Sequence, residues 1–154
     1  MLYKSFVTSF REILSNMNPR FKCNDFLCRV YVEDTDFQGV VYYANYLKYF
    51  ERARSQFLIE HNLSQTEAMS QDNESYVVKS INLSYHHPAT LEDELIVRTE
   101  IELLSKARTI FFQSVLNSKN DTLICKGEVE VCFIQNDLGK PKAFPAGLLN
   151  LFKN

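Results

Sequence analysis

Glu33-Asp34-Thr35-Asp36-Phe37-Gln38-Gly39-Val40-Val41-Tyr42-Tyr43-Ala44-Asn45-Tyr46 decides the fold of this chain. The stretch ends a β-rich run in carboxylates, turns at Gly39, and opens a helix. Asn45 is a good N-cap residue type. A helix start presents backbone N–H groups with no i−4 carbonyl, and the positive end of the macrodipole. A carboxylate just before it can attack a carbonyl held by those N–H groups, or activate water to do so. That is the minimum equipment for acyl transfer. Glu33, Asp34 and Asp36 all compete for the role, and each can instead be a turn residue.

Downstream of this run, Tyr46, Tyr49, Phe50, Ala53 and Phe57 recur at helical spacing, while Lys48, Arg52 and Gln56 are left for water. The helix is expected to run to Glu60 or His61. Its apolar side is too aromatic to face solvent and must be wrapped. Tyr76–Tyr85, Glu94–Leu104, Thr109–Leu116 and Leu123–Ile134 read as strands that supply the wrapping. Val97, Thr99, Ile101 and Leu103 alternate with Arg98, Glu100 and Glu102, and Val129, Val131 and Phe133 with Lys126, Glu128 and Glu130. Upstream, Phe26 to Val32 reads as a strand with Phe26, Cys28, Val30 and Val32 on one face. Leu148, Leu149, Leu151 and Phe152 suit a short final helix. One strand, one long helix and four strands give an α+β class with a curved antiparallel sheet around a central helix.

The chain of 154 residues is long enough for one domain with a sizeable core. A net charge of −2 argues against nucleic acid as the partner. No apolar run approaches the ~20 residues of a transmembrane helix. Cys23, Cys28, Cys125 and Cys132 form no C-x-x-C pair and, with the histidines, no zinc pattern, so metal is not expected and reduced buried thiols are. With no convincing secretory signal, a cytoplasmic location is expected. Residues 1–24 form an N-terminal extension before a domain at 25–154. Tyr3, Phe6, Val7, Phe10, Ile13, Leu14 and Met17 suit a short amphipathic helix that packs on a neighbouring subunit or touches a membrane; alternatively Met17 is the true start.

The quoted stretch, continuing through Leu47, Phe50, Glu51, Arg52, Ala53 and Arg54, resembles the signature of the hotdog-fold acyl-CoA thioesterases. The resemblance is to the branch of 4-hydroxybenzoyl-CoA thioesterases and Tol-Pal-associated YbgC-like enzymes. A second match lies at Tyr85-His86-His87-Pro88-Ala89-Thr90-Leu91-Glu92-Asp93, and the likeness covers roughly Asp25 to Phe152. It implies a hotdog fold and hydrolysis of an acyl-CoA or acyl-carrier-protein thioester. Coenzyme A is then part of the substrate, and no cofactor is required. It also implies dimers with joined sheets, commonly paired into tetramers, with sites at subunit interfaces. Among the three carboxylates it selects Asp36, because the family's catalytic aspartate precedes the helix-opening residue by seven positions, as Asp36 precedes Tyr43. Many YbgC-like members carry histidine at that helix-opening place. The Tyr43 seen here resembles the 4-hydroxybenzoyl branch, in which the backbone N–H polarises the carbonyl.

Thioester chemistry suits such a site. A thiol leaving group with a pKa near ~8.5 departs without a strong acid. The catalyst then needs an oxygen nucleophile or base, which an ionised aspartate provides, and an oxyanion site. Tyr42 and Tyr46 are expected to line that site. Glu51 is a candidate accessory carboxylate for orienting water, with an ion pair to Arg52 or Arg54 as its alternative role. Lys106 and Arg108, at the turn Ser105-Lys106-Ala107-Arg108-Thr109, are the candidates for coenzyme A phosphates, or for an acidic acyl carrier protein. His61, His86 and His87 carry weak claims to catalysis. A non-catalytic hotdog module that binds acyl carriers or membrane-associated partner proteins is the rival reading. Hotdog dehydratases are a second, but they need a histidine this motif lacks.

Overall fold

The aromatic stripe that demanded a wrapping lies on one helix, α1 (Tyr46–Glu60), which buries Tyr46, Tyr49, Phe50, Ala53, Phe57 and Leu58. A computed structural model describes residues 19–153. The wrapping is an antiparallel sheet of β1 (Phe21–Lys22), β2 (Phe26–Arg29), β3 (Glu74–Tyr85), β4 (Glu94–Ser105), β5 (Arg108–Asn117), β6 (Leu123–Gln135) and β7 (Lys140–Pro141). Its order is β1-β4-β5-β6-β3, with β2 also on β4 and β7 also on β6. The sheet curls around α1 as the hotdog fold requires. The described residues also form two shorter helices, α2 (Gln65–Asp72) and α3 (Ala146–Leu149), the second continued by a 3₁₀ turn over Asn150–Phe152.

Alternation along the strands sets which side chains meet α1. Leu95, Val97, Thr99 and Ile101 of β4, Phe111, Gln113 and Val115 of β5, and Val129, Val131 and Phe133 of β6 are all buried. Burial of this apolar area, at about 25 cal/mol per Å², drives the wrap. One polar clasp fixes its register. The buried Gln113 amide donates to the Phe50 carbonyl at 3.0 Å and to the Thr99 hydroxyl at 3.2 Å, and accepts from Arg54 at 2.8 Å. Burial lowers the Arg54 pKa, with Glu51 opposing the shift. At Gly127 the sheet meets the helix so closely that a Cβ would overlap the Leu83 side chain and lie 2.9 Å from the Phe50 ring.

Several expectations change. Val32 does not share a face with Phe26, Cys28 and Val30: the strand stops at Arg29, and Val32–Asp34 turns away as a 3₁₀ helix that leaves Val32 exposed. Asn45 does not cap α1 with its side chain. It already has helical φ and ψ, because a 3₁₀ turn over Tyr43–Asn45 leads into α1. Neither α2 nor the β7 return was anticipated. Ser64 caps α2 by accepting the Glu67 N–H at 3.1 Å, and Asn73 ends it at φ 52°. The pattern over residues 3–17 lies outside the described residues. No helix among the described residues is long and apolar enough to cross a membrane.

Candidate active site

Asp36 opens a tight hairpin. The Gly39 N–H donates to the Asp36 carbonyl at 3.0 Å, and the Asp36 N–H donates to Val40 O at 2.9 Å. This is a type I turn closed by a bulge residue at positive φ. Gly39 takes that position at φ 79°, where a side chain would be strained. Aspartate suits the first turn position because Oδ1 can accept the Gln38 N–H, here at 2.8 Å. Oδ2 receives no hydrogen bond among the described residues. Asp36 is therefore the turn residue and still has a free oxygen.

The hairpin folds this acid back beside the helix start. Thr35 pairs with Val41. The Tyr42 N–H donates to Asp34 O at 2.9 Å, the Asn45 Nδ2 to the same carbonyl at 2.9 Å, and the Asn45 N–H to Tyr42 O at 2.8 Å. The Tyr43 and Ala44 N–H groups lie between these bonds and meet no backbone acceptor among the described residues. Beyond the hairpin, Val41 N–H donates to Ala89 O at 2.8 Å, and Val40 pairs with Thr90. Both sequence matches thus meet at one place in the fold.

The rival carboxylates separate. Asp34 is buried, and its Oδ2 accepts the Tyr31 N–H at 2.8 Å. Beside it, the Tyr49 hydroxyl is buried without a hydrogen bond among the described residues. Its pKa is pushed up by burial and then by Asp34. Glu33 is exposed. Glu51 accepts from the Ser55 hydroxyl at 2.5 Å, and among the described residues it makes no ion pair with Arg52 or Arg54. The Arg54 guanidinium instead reaches Gln113.

Tyrosines surround the helix start. The Tyr42 and Tyr43 rings lie 4.8 Å apart. The Tyr43 hydroxyl, and less strongly Asp36, push the Tyr42 pKa up. Tyr46 is buried and packs on Tyr49 and Tyr85, and burial pushes its pKa to about 12. In a single chain Tyr46 therefore lies beneath the exposed rings and not among them. Tyr85, to which the sequence assigns no role, donates its hydroxyl to the Tyr43 carbonyl at 3.0 Å. The signal was available: an aromatic residue at a strand end inside the second match.

Lys106 and Arg108 are not brought to Asp36 and Tyr43 within one chain. Their turn sits beside Phe133, which pairs with Tyr76, whereas Tyr85 and the helix start lie at the other end of β3. Nine residues of strand separate the two levels, about 30 Å at ~3.3 Å per residue. Arg108 also meets Glu130 at 3.3 Å. The histidines serve locally: His61 Nδ1 lies 2.8 Å from Phe57 O, His86 Nε2 3.2 Å from the Ser84 hydroxyl, and His87 Nδ1 2.8 Å from Leu123 O. Cys23, Cys125 and Cys132 are buried free thiols and Cys28 is partly so, with Cys23 off the strands. Clefts of 370 to 470 Å³ lie along β2 and on the outer face of the sheet, and none of these is lined by Asp36 or Tyr43. In one copy the site is an open, aromatic surface, with Tyr43 61% exposed.

Comparison with known proteins finds relatives over most of the chain. The model of the thioesterase-like superfamily matches residues 30–152. An acyl-CoA thioester hydrolase, YbgC, from Escherichia coli is 38% identical over 125 residues, 81% of this chain and 92% of that protein. A probable thioesterase from Bartonella henselae is 36% identical with a TM-score of 0.73, covering 79% of this chain and 98% of the other. A 1,4-dihydroxy-2-naphthoyl-CoA thioesterase from Synechocystis has a TM-score of 0.80 at 21% identity, covering 87% and 96%, and so shares the fold.

Proposed function

Because the chain belongs to the thioesterase-like superfamily and is a thioester hydrolase, we propose that it cleaves acyl-coenzyme A thioesters with Asp36 and the backbone N–H of Tyr43. The observation that carries this reading is the Asp36 carboxylate: one oxygen is held by the Gln38 N–H, the other is free, and the hairpin ties both to a helix start with unused N–H groups.

The thioester oxygen would accept from the Tyr43 N–H, with the helix dipole adding to the field. A single such donor is typically worth about 2.7–4 kcal/mol in the barrier. Two routes use Asp36. In one, the free oxygen attacks the carbonyl carbon and the C–S bond breaks, releasing coenzyme A thiolate and leaving a mixed anhydride that water hydrolyses. In the other, Asp36 takes a proton from water as the resulting hydroxide attacks, and the tetrahedral adduct expels the thiolate. Both need only water and the chain's own groups.

The phosphates of coenzyme A, or an acidic acyl carrier protein, would meet Lys106 and Arg108 of a second copy. β3 forms one edge of the sheet, with apolar Val78 and Ile81 exposed on it. Antiparallel pairing of two copies along this edge, centred near Ser80, would set the partner's basic turn at the level of Asp36 and close the open site. A dimer is thus the smallest active unit, and two dimers can pair into a tetramer. The buried free thiols suit a reducing compartment, the cytoplasm.

The test is a panel of short, long and benzoyl thioesters on coenzyme A and on acyl carrier protein, read by release of free thiol. Turnover with coenzyme A thioesters is expected. Binding without thiol release from any of them would replace the enzyme with the non-catalytic acyl-carrier module.

A further inference from the structure

We propose that Tyr85 is a positioning residue for carbonyl polarisation: its hydroxyl holds the Tyr43–Ala44 peptide, and with it the amide donors of the 3₁₀ turn that leads into α1. The inference rests on the reading of the site given above, and deepens it.

The Tyr85 hydroxyl donates to the Tyr43 carbonyl at 3.0 Å. Its ring is fixed from two sides, edge-on to Tyr43 at 6.3 Å and 87°, and 5.8 Å from Tyr46. Its backbone closes β3 opposite Cys125, so the sheet sets its position. A tyrosine hydroxyl, with an ordinary pKa near ~10, is a donor at neutral pH, and partial burial, then Cys125 and Tyr43, push the Tyr85 pKa further up.

The consequence follows from the chemistry of the peptide group. A hydrogen bond to a carbonyl draws electron density from its amide nitrogen, here that of Ala44, and makes that N–H a stronger donor. The same bond fixes the peptide plane after Tyr43, and through the shared Cα it restrains the Tyr43 N–H before it. The first turn of a helix otherwise frays. Overall stability depends little on this contact. The helix is already held by its buried aromatic face and by Gln113 on the Phe50 carbonyl, while Tyr85 is 48% exposed.

Tyr85→Phe keeps the ring and removes only the donor. Two readouts separate the claims. The first needs no substrate: the ¹⁵N resonance of the Ala44 amide is expected to move upfield in Tyr85→Phe, because that nitrogen reports hydrogen bonding at the preceding carbonyl. An unmoved resonance overturns the proposed bond whatever the activity. The second is turnover of an acyl-coenzyme A substrate that the wild type hydrolyses. The expected result is a kcat about five- to tenfold lower, the loss of one neutral hydrogen bond, with KM and Tm unchanged. A moved resonance with unchanged kcat, or with a change in KM alone, overturns the positioning role. A wild type that releases no thiol from any thioester would refute the hydrolase reading, and the resonance would still decide whether Tyr85 holds the peptide.

Discussion

At position 36 the two carboxylate oxygens have different surroundings. Oδ1 is committed to the Gln38 N–H and Oδ2 is not. Sequence could not distinguish this arrangement from a plain turn, because the same aspartate fills both roles. Composition leaves Asp34 and Glu33 as rivals, and the family resemblance selects Asp36; in the structure Asp34 is buried and its Oδ2 accepts the Tyr31 N–H. Position 43 poses the complementary question of backbone against side chain. Tyr43→Phe keeps the amide and the ring, so kcat is expected to stay within about threefold of wild type, since a thiolate needs little protonation and tyrosine, with a pKa near ~10, is a slow acid. A fall of 10²-fold with the circular dichroism spectrum intact would make the phenol the acid.

At the scale of elements, α1 and the four long strands were legible because their apolar positions recur with clear periods of 3.6 and 2. The helix α2 was not. It buries none of its side chains, so it has no apolar stripe, although Ser64 and Glu67 spell the spacing of a capping box. The entry to α1 differs from the expected cap for a related reason. Asn45 has the composition of a cap, but its amide is drawn to the Asp34 carbonyl by a contact eleven residues back that no local pattern encodes. Helix and sheet come close at Gly127. Gly127→Ala forces the Leu83 side chain aside and presses on the buried Phe50 ring. Such overpacking is expected to cost about 1–3 kcal/mol in urea unfolding. An unchanged midpoint would mean that helix and sheet meet less closely than described.

At the scale of the whole molecule, the placement of Lys106 and Arg108 could not be read from sequence. Strand spacing gives distances along one chain, not the approach of a second. If a partner supplies them, Lys106→Ala with Arg108→Ala raises KM for acyl-CoA about tenfold, with kcat nearly kept, because contacts to remote phosphates bind ground and transition states alike. Mixed dimers with an Asp36→Asn copy then contain one site with both Asp36 and the basic pair, and recover a wild-type KM. Mixtures that show only the raised KM would place the basic turn elsewhere. All of this depends on Asp36 doing the chemistry. The most direct measurement is thiol release by purified, folded Asp36→Asn, with deamidation of the new asparagine excluded by mass spectrometry. Asparagine can keep the Gln38 hydrogen bond but is neither nucleophile nor base, so hydrolysis is expected to fall by at least about 10²-fold. A rate near that of the wild type would contradict the account.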